Sequence, residues 1–225
     1  MNKQNIIQMV KKHHKIFNFL TNIYNCLSLK NRLNKKGVKV KIGVSKISGL
    51  KIVNRGKNNK IIINDFVRIK NTKIIIRGNN NTINISDFVV LYEGTFYMED
   101  DNNEIFIGEH TSCLGKFEFA TIEGTKILIG KNCLFSSLLH FRTGDSHSIL
   151  NLDGERINPS QDIVIEDHVW VGTKVTCLKG VLVKKNSIVG ATTTLCKIYD
   201  EENVAIGGVP GKIIKRGVNW DSKRI

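Results

Sequence analysis

The chain has 225 residues and is strongly basic, with 34 Lys and Arg against 20 Asp and Glu and a formal net charge of +14. Its 41% of apolar residues suffices for a sizeable core, which excludes an intrinsically disordered chain. No segment approaches the ~18 consecutive apolar residues of a membrane span, and the basic N-terminus lacks the apolar stretch and cleavage site of a secretion signal. We therefore expect cytoplasmic localisation.

The positive charge is concentrated in the N-terminal third. Residues 1–77 contain 19 Lys and Arg and a single acid, Asp65, a net charge of +18, whereas residues 78–225 contain 15 basic and 19 acidic residues, a net charge of −4. Partners respond to local fields rather than to total charge. An anionic partner is therefore expected at the N-terminal third.

The first predicted element is a helix over residues 4–30, within a basic amphipathic segment at 1–36. Apolar residues recur there at three- and four-residue steps, and Gly37 marks the end of the segment. Two uses remain open for this helix. It either caps or packs on the following domain, or it lies on an anionic membrane surface.

Four consecutive blocks of 22 residues follow, at 56–77, 78–99, 100–121 and 122–143. Each block places a short β-branched strand after a turn rich in Gly, Asn and Asp. Apolar residues coincide from block to block, as at Ile63, Ile85, Ile107 and Ile129. Self-similarity at such a period is typical of a solenoid.

From Ile165 the period changes to six. Apolar residues occupy the first position of each hexad: Ile165, Val171, Cys177, Val183, Val189 and Leu195. A hexad with an apolar first position and a small or β-branched fifth position forms one flat face of a triangular coil, and stacked coils bury a continuous core. The 22-residue blocks then correspond to three faces plus a four-residue corner. The pattern predicts a parallel β-helix.

Residues 144–162, between the last block and the first hexad, do not follow either repeat. This segment contains Asp145 and His147. Because loops that leave a rigid scaffold often carry function, it is the first place to look for a site.

Four motifs carry a family resemblance: Gly-Asp-Ser-His-Ser-Ile at 144–149, Asp-His-Val-Trp-Val-Gly at 167–172, Gly-Ala-Thr-Thr-Thr-Leu-Cys-Lys at 190–197 and Gly-Gly-Val-Pro-Gly-Lys-Ile-Ile-Lys at 207–215. With them the sequence resembles the left-handed β-helix, hexapeptide-repeat acyltransferases. The resemblance is strongest to bacterial enzymes that acetylate capsule or lipopolysaccharide sugars, including the polysialic acid O-acetyltransferase type.

The resemblance implies an all-β fold, a left-handed parallel β-helix with an N-terminal α-helical segment and a short C-terminal extension. We expect the basic helical segment at 1–36, the acyltransferase domain at 37–216 with its catalytic loop at 144–162, and a tail at 217–225.

By resemblance, His147 is the expected general base, since family members place a histidine base in a loop before the Trp-containing hexad. Histidine also titrates near neutral pH, as such a base must. Asp145 or a backbone carbonyl is expected to orient the second ring nitrogen of His147. Trp170 should point outward, where it would stack on a sugar or wall the thioester channel, or else cover a neighbouring subunit.

The resemblance also implies acetyl-CoA as co-substrate and no metal. Residues that match the family's contacts to the pantetheine arm are Thr173 and Ala191. Residues that match its contacts to the phosphates are Lys197, Lys212 and Lys215.

The implied activity is acetyl transfer from acetyl-CoA to a sugar hydroxyl of a bacterial surface polysaccharide, either a capsule, including one that contains sialic acid, or lipopolysaccharide. Two alternatives remain: an N-acetyltransferase of an amino-sugar nucleotide, and a polyanion-binding protein without catalysis. The sequence has no nucleic-acid-binding motif, so no nucleic-acid partner is expected.

The expected assembly is a homotrimer with active sites between subunits, because this is the rule in the family. The expected acceptor is an acidic polysaccharide or sugar. Peripheral contact with the inner face of the cell membrane through residues 1–36 is a further expectation.

Overall fold

The computed structural model describes residues 3–28, 30–33 and 36–223. Its body is a triangular coil of short parallel strands that stack into three sheets. This confirms the predicted fold class, a left-handed parallel β-helix preceded by helices and followed by a short extension. No helix in the described residues is long and apolar enough to cross a membrane.

Two helices precede the coil. They are α1, Lys3–Lys12, and α2, His14–Leu27. The prediction of one continuous helix over 4–30 is wrong, because the backbone turns at His13 and the second helix gives way to extended backbone at Ser28. The turn accompanies a contact that periodicity does not reveal: the imidazole Nε2 of His14 lies 2.9 Å from a carboxylate oxygen of Asp65 on the coil.

The strands of each sheet come from successive turns of the coil. Sheet A contains β2 (Val38–Ile42), β5 (Asn59–Ile63), β8 (Thr82–Ile85), β11 (Glu104–Ile107), β14 (Lys126–Ile129), β17 (Ile163–Ile165), β20 (Leu182–Val183) and β23 (Ile198–Tyr199). Sheet B contains β3 (Lys46–Ser48), β6 (Arg68–Lys70), β9 (Val90–Tyr92), β12 (Ser112–Cys113), β15 (Leu134–Phe135), β18 (Trp170–Val171), β21 (Ile188–Val189), β24 (Val204–Gly207) and β25 (Lys212–Arg216). Sheet C contains β1 (Arg32–Leu33), β4 (Lys51–Asn54), β7 (Lys73–Ile76), β10 (Gly94–Met98), β13 (Phe117–Thr121), β16 (Leu139–Arg142), β19 (Thr176–Cys177) and β22 (Thr194–Leu195).

The chain therefore circles from sheet A to B to C, and the three corners are named A–B, B–C and C–A after the sheets they join. From β5 to β14, neighbouring strands of sheet A are 22 residues apart, as in the pair Ile105 and Ile127, whereas β2 and β5 are 21 residues apart. From β17 onwards they are 18 residues apart at first, as in Val164 and Leu182. The four additional residues of the longer turns lie at the C–A corner, as the sequence predicts.

A ladder of buried asparagines explains why the longer corner is stable. The side-chain oxygen of Asn59 accepts a hydrogen bond from the backbone N–H of Asn81 at 2.7 Å, and Asn81 does the same for Asn103 at 2.8 Å. All three side chains are buried. A corner that lacks sheet pairing leaves backbone donors unsatisfied, so these amides replace the missing strand contacts.

The core is a single apolar column inside the coil. The first-position hexad residues are all buried, together with the matching isoleucines of the 22-residue blocks and a group of phenylalanines. The phenylalanines are Phe96, Phe119, Phe135 and Phe141. Strands that face such a column alternate between buried and outward side chains, and this alternation decides which residues are available for function.

The C-terminal end of the coil is closed by its own chain. Strand β25 runs antiparallel to β24, and the turn between them forms backbone hydrogen bonds with Thr194 on β22, the last strand of sheet C. A Cβ atom at Gly211 would lie 2.7 Å from the Tyr199 hydroxyl, so only glycine allows this approach. The chain after β25 then returns along the A–B corner, where the Trp220 ring stacks on the His168 ring at 4.4 Å.

Candidate active site

Residues 143–162 form the longest connection between strands of the coil, from β16 in sheet C to β17 in sheet A. The connection therefore projects from the C–A corner. This corner holds the four additional residues in the preceding coils, so the loop is an enlargement of a corner that is already long. Its only strand-like pairing within the described residues is an antiparallel bridge between Leu150 and Arg156.

Asn158 holds the loop together from inside. Its side chain is 5% exposed. Its amide nitrogen donates to the backbone oxygen of His147 and to the carboxylate of Asp145, both at 2.8 Å, and its amide oxygen accepts from the N–H of Ile149 at 2.7 Å. A buried amide with every partner in place fixes the backbone on both sides of His147.

Two ion pairs tie the loop to the rigid coil. Lys179, at the C–A corner of the next turn, donates to Asp145 at 2.6 Å and to the backbone oxygen of Asn158 at 3.1 Å. Arg156 binds the carboxylate of Glu123 through two nitrogens, at 2.7 and 3.0 Å. The two parallel hydrogen bonds between Arg156 and Glu123 fix the relative orientation of the two groups, and they also stabilise the loop.

These contacts shift the acidity of both carboxyl groups. Hydrogen bonds from Arg156 and Ser160 lower the pKa of Glu123 from 4.5 to about 2. The hydrogen bond from Lys179, followed by that from Asn158, lowers the pKa of Asp145. Both groups are therefore ionised throughout the neutral range, and neither is suited to accept a proton there.

The side chain of His147 is exposed at the outer surface of this clamped loop. Among the described residues no hydrogen bond to its imidazole is found. The Asp145 carboxylate binds Lys179 and Asn158 in place of the His147 ring, so Asp145 contributes here to the loop backbone. The role of His147 as base and the identity of the group that orients its ring remain predictions.

Trp170 begins strand β18 and is 41% exposed, so its side chain points outward as the hexad position predicts. Its ring lies 6.2 Å from the ring of Trp220, which the returning C-terminal segment brings to this face. The indole N–H of Trp220 is anchored on the backbone oxygen of His168 at 2.9 Å. Two indoles are thus grouped on sheet B near the A–B corner.

Thr173 and Ala191 lie on successive turns at the B–C corner, where the N–H of Thr192 donates to the backbone oxygen of Thr173 at 2.8 Å. The Thr173 hydroxyl donates to the backbone oxygen of Ser137, one turn earlier, at 2.9 Å. The three residues form an edge of small side chains along which an extended ligand can approach the backbone.

The three predicted phosphate-binding lysines are exposed at the C-terminal end of the coil. Lys212 and Lys215 lie on strand β25, opposite Gly207 and Ala205. Lys197 lies at the C–A corner, with its amine 5.7 Å from the centre of the Tyr199 ring. Lys212 lies at the end of β24 that leads to the B–C corner of Ala191, whereas Lys215 lies further along β25, opposite Ala205, and Lys197 lies at a different corner.

Within one subunit the predicted residues do not converge. His147 lies beyond the C–A corner, and Trp170 lies on sheet B, the face of the triangular coil opposite that corner. Every contact given above that anchors the loop is at the C–A corner. One chain therefore presents the parts of the candidate site on separate surfaces.

Comparison with known proteins gives consistent results. No protein-family model matches the chain. A polysialic acid O-acetyltransferase from Neisseria meningitidis is 33% identical over 111 residues, which are 49% of this chain and 52% of that protein. A second from Escherichia coli O1:K1 / APEC is 33% identical over 114 residues, 50% of this chain and 36% of that protein. The matched segment thus spans about half the length of the curated relatives or less.

Solved structures extend the similarity to most of the chain. The polySia specific acetyltransferase NeuO has a TM-score of 0.75 and 29% identity, with 84% of this chain and 91% of that chain covered. The polysialic acid O-acetyltransferase OatWY has a TM-score of 0.70 and 30% identity, with 88% and 90% covered. The chain belongs to the hexapeptide-repeat acyltransferase family.

The residues that hold the loop in place were not predicted from the sequence. Asn158, Arg156 and Lys179 have no motif of their own, and Glu123 lies in a turn of the last 22-residue block. Lys179 could have been anticipated in part, because in the turn that follows the loop it lies at the C–A corner, the corner from which the loop projects. Among the residues that the structure describes, no group of three or more His, Cys, Asp or Glu side chains is placed to hold a metal ion.

Proposed function

We propose that this protein transfers an acetyl group from acetyl-CoA to a hydroxyl group of a bacterial surface polysaccharide. The observation that carries the proposal is an exposed histidine, His147, on a loop clamped to a rigid β-helix that aligns along most of its length with two polysialic acid acetyltransferases. The acceptor is a capsule polymer, including one that contains sialic acid, or a lipopolysaccharide.

In the proposed reaction, His147 accepts the proton of the acceptor hydroxyl as that oxygen bonds to the thioester carbonyl carbon. The carbon–sulfur bond then breaks, and the protonated His147 returns the proton to the leaving sulfur. The acetyl ester and the free thiol are the products, so atoms and charge balance. Asn158 supports the step by fixing the backbone oxygen of His147, which limits the positions that the ring can take.

The chain's own residues fit a CoA thioester along the B–C edge. Thr173, Ala191 and Ser137 give that edge small side chains, and Lys212 supplies a cation near its end, with Lys215 further along the same strand. Lysine binds phosphate as a point charge rather than through a planar fork. The co-substrate would thus be bound on a different edge from the loop that carries His147.

This separation supports a homotrimer with active sites between subunits. If the loop of one subunit reaches the sheet B and B–C edge of its neighbour, His147, Trp170 and Thr173 meet. A closed three-fold ring repeats the same contact three times. Light scattering should give the mass of three chains, and a monomeric mass would defeat both the trimer and the intersubunit site.

The activity itself is tested with labelled acetyl-CoA and purified polysaccharides, both acidic and neutral. We expect label in a base-labile ester on an acidic polymer, and loss of that signal in His147→Ala. Label transferred only to amino-sugar nucleotides would indicate an N-acetyltransferase, and polymer binding without transfer would indicate a polyanion-binding protein. Either result would reject the proposal.

The intersubunit site is tested by mixing two inactive variants, His147→Ala and Trp170→Ala. Sites that combine residues from two subunits regain an intact pair in about a quarter of the interfaces of a random mixture. Sites within one subunit regain none. Recovery of activity on co-refolding therefore supports the shared site, and complete absence of recovery contradicts it.

A further inference from the structure

Helix α2 is amphipathic, but its polar side rather than its apolar side faces the coil. At about 100° per residue, its asparagines Asn18, Asn22 and Asn25 lie on one side together with His14. The large apolar residues lie on the opposite side. In a helix that packs on its own domain, the apolar side normally faces the core.

Here the polar side faces the coil. Asn25 is buried, and its amide donates to the backbone oxygen of Ser45 at 2.8 Å while accepting from the N–H of Ile47 at 3.2 Å. Asn22 donates to the backbone oxygen of Ile42 at 3.2 Å, and after the helix Asn31 donates to the backbone oxygen of Ile47 at 3.1 Å.

The open end of the coil explains this orientation. The first strand of a solenoid has no preceding turn to pair with, so its N–H and C=O groups are unsatisfied. Amide side chains satisfy both kinds of group, and apolar side chains satisfy neither. The end of the coil therefore selects the asparagine face of α2.

The apolar face is left exposed as a consequence. Six large side chains of α2 are 41–75% exposed: Ile16, Phe19, Leu20, Ile23, Tyr24 and Leu27. Exposed apolar groups arranged contiguously on one helix face mark an interaction surface rather than isolated surface residues.

Exposed cations occur at the same end of the molecule as this apolar face. Exposed Lys and Arg residues occur on both helices and on the first turn of the coil: Lys11, Lys12, Lys15, Lys30, Arg32, Lys39, Lys41 and Lys46. Asp65, the one acid of residues 1–77, is bound to His14. The surface thus combines an apolar stripe with an almost unopposed positive field.

We infer that the apolar face of α2, together with the cations at this end of the molecule, docks on an anionic phospholipid surface. Both parts of the surface are matched by such a partner, because lipid headgroups neutralise the cations and the acyl boundary takes up the apolar stripe. An acidic polysaccharide would match the cations alone. A second copy of the same end would bring two strongly positive surfaces together.

The geometry places the acetylation machinery away from the bilayer. Helix α2 lies at the start of the coil, and the loop with His147 follows β16, the sixth strand in the stack of sheet C and five turns after the first. The helices would therefore act as a peripheral anchor for a catalytic end that extends from the membrane.

The test uses sedimentation of the full chain with vesicles of phosphatidylcholine alone or with one third phosphatidylglycerol. We expect binding to the anionic vesicles that weakens as NaCl is raised, and little binding to the neutral ones. Phe19→Ser combined with Leu27→Ser should reduce the partition coefficient about tenfold or more. Ile198→Ser, at a residue of similar exposure on the last turn of the coil, should leave it unchanged.

The cations are tested by a second pair of variants with equal charge change. Lys11→Gln, Lys12→Gln and Lys15→Gln together should weaken binding, whereas Lys116→Gln, Lys126→Gln and Lys131→Gln together should not. Thermal unfolding of each variant verifies that the coil remains folded.

Three results would overturn the inference. One is failure of the wild-type chain to bind anionic vesicles, and another is equal binding to both vesicle types. The third is a fall in mass by light scattering when Phe19 and Leu27 are replaced, which would show that a second copy covers the face. The two vesicle results do not bear on acetyl transfer in solution, so they test this inference separately from the proposed activity. A fall in mass would bear on the proposed trimer as well.

Discussion

The coils before residue 143 and those after residue 163 build the same triangular column from different repeats. The earlier coils have 22 residues per turn, strands of up to five residues and a buried asparagine ladder at the C–A corner. The later ones have strands of mostly two residues and short corners. The long loop emerges where one repeat gives way to the other, and the cations are concentrated at the far end of the earlier coils.

The two sets of coils are suited to different tasks. The earlier coils are regular, basic and closed by amide side chains at their open end, which suits a scaffold that faces an anionic partner. The later coils carry the corner edges, the indoles and the loop. The discontinuity in the repeat, rather than the repeat itself, identifies the candidate site.

Among the substitutions that test this division, His147→Ala is expected to have the largest effect on activity. Loss of a general base lowers the rate of acetyl transfer by about 10²–10⁴-fold. The matched control is His140→Ala, because His140 lies on β16 just before the loop and its side chain is 42% exposed. Steady-state rates with labelled acetyl-CoA measure both. Equal losses in the two variants would contradict the assignment of the base to the loop.

At the other end of the molecule, Asn25→Ala should destabilise the first turn. It leaves the Ser45 carbonyl and the Ile47 N–H without partners in a buried place, at about 1–3 kcal/mol for each group. Denaturant unfolding should show the loss, with Asn5→Ala, at an exposed residue of α1, as the control. A change below about 0.5 kcal/mol in Asn25→Ala would mean that the amide cap is not what holds the helices.

A smaller effect on activity is expected from Asn158→Ala. The loop loses the bonds to Asp145, the backbone oxygen of His147 and the Ile149 N–H, so the His147 ring samples more positions and kcat falls about tenfold. The pH profile should keep its shape, because the base is still present. A shifted profile would indicate that Asn158 acts on the acidity of His147 rather than on its position.

The smallest effect is expected on the stability of the loop at low pH. The pKa of Glu123 is lowered from 4.5 to about 2, so its contact with Arg156 contributes stability that is complete above 4.5 and is lost as the pH falls towards 2. Pepsin cleavage within 144–162 should therefore increase steeply over this interval in the wild type. In Glu123→Gln it should already be faster at pH 4.5 and should change less with pH.

The sequence predicted the coil well because repetition is itself the physical cause of the fold. The residues equivalent to Ile63 and those equivalent to Ile165 must all point inward if stacked turns are to bury their faces. The same argument predicted that Trp170 points outward. The helices were predicted less well, since the local periodicity does not reveal the break at His13, which accompanies the contact of His14 with Asp65.

The sequence by itself determined the period, the inward residues, the position of the non-repeating loop and the imbalance of charge, because each of these depends on residues close together in the chain. Only the tertiary structure decided that Asn158 and Lys179 hold the loop, that Asp145 is bound to them, and that α2 turns its asparagines inward. These outcomes depend on which backbone groups remain unsatisfied once the turns are stacked, and that condition arises between distant residues.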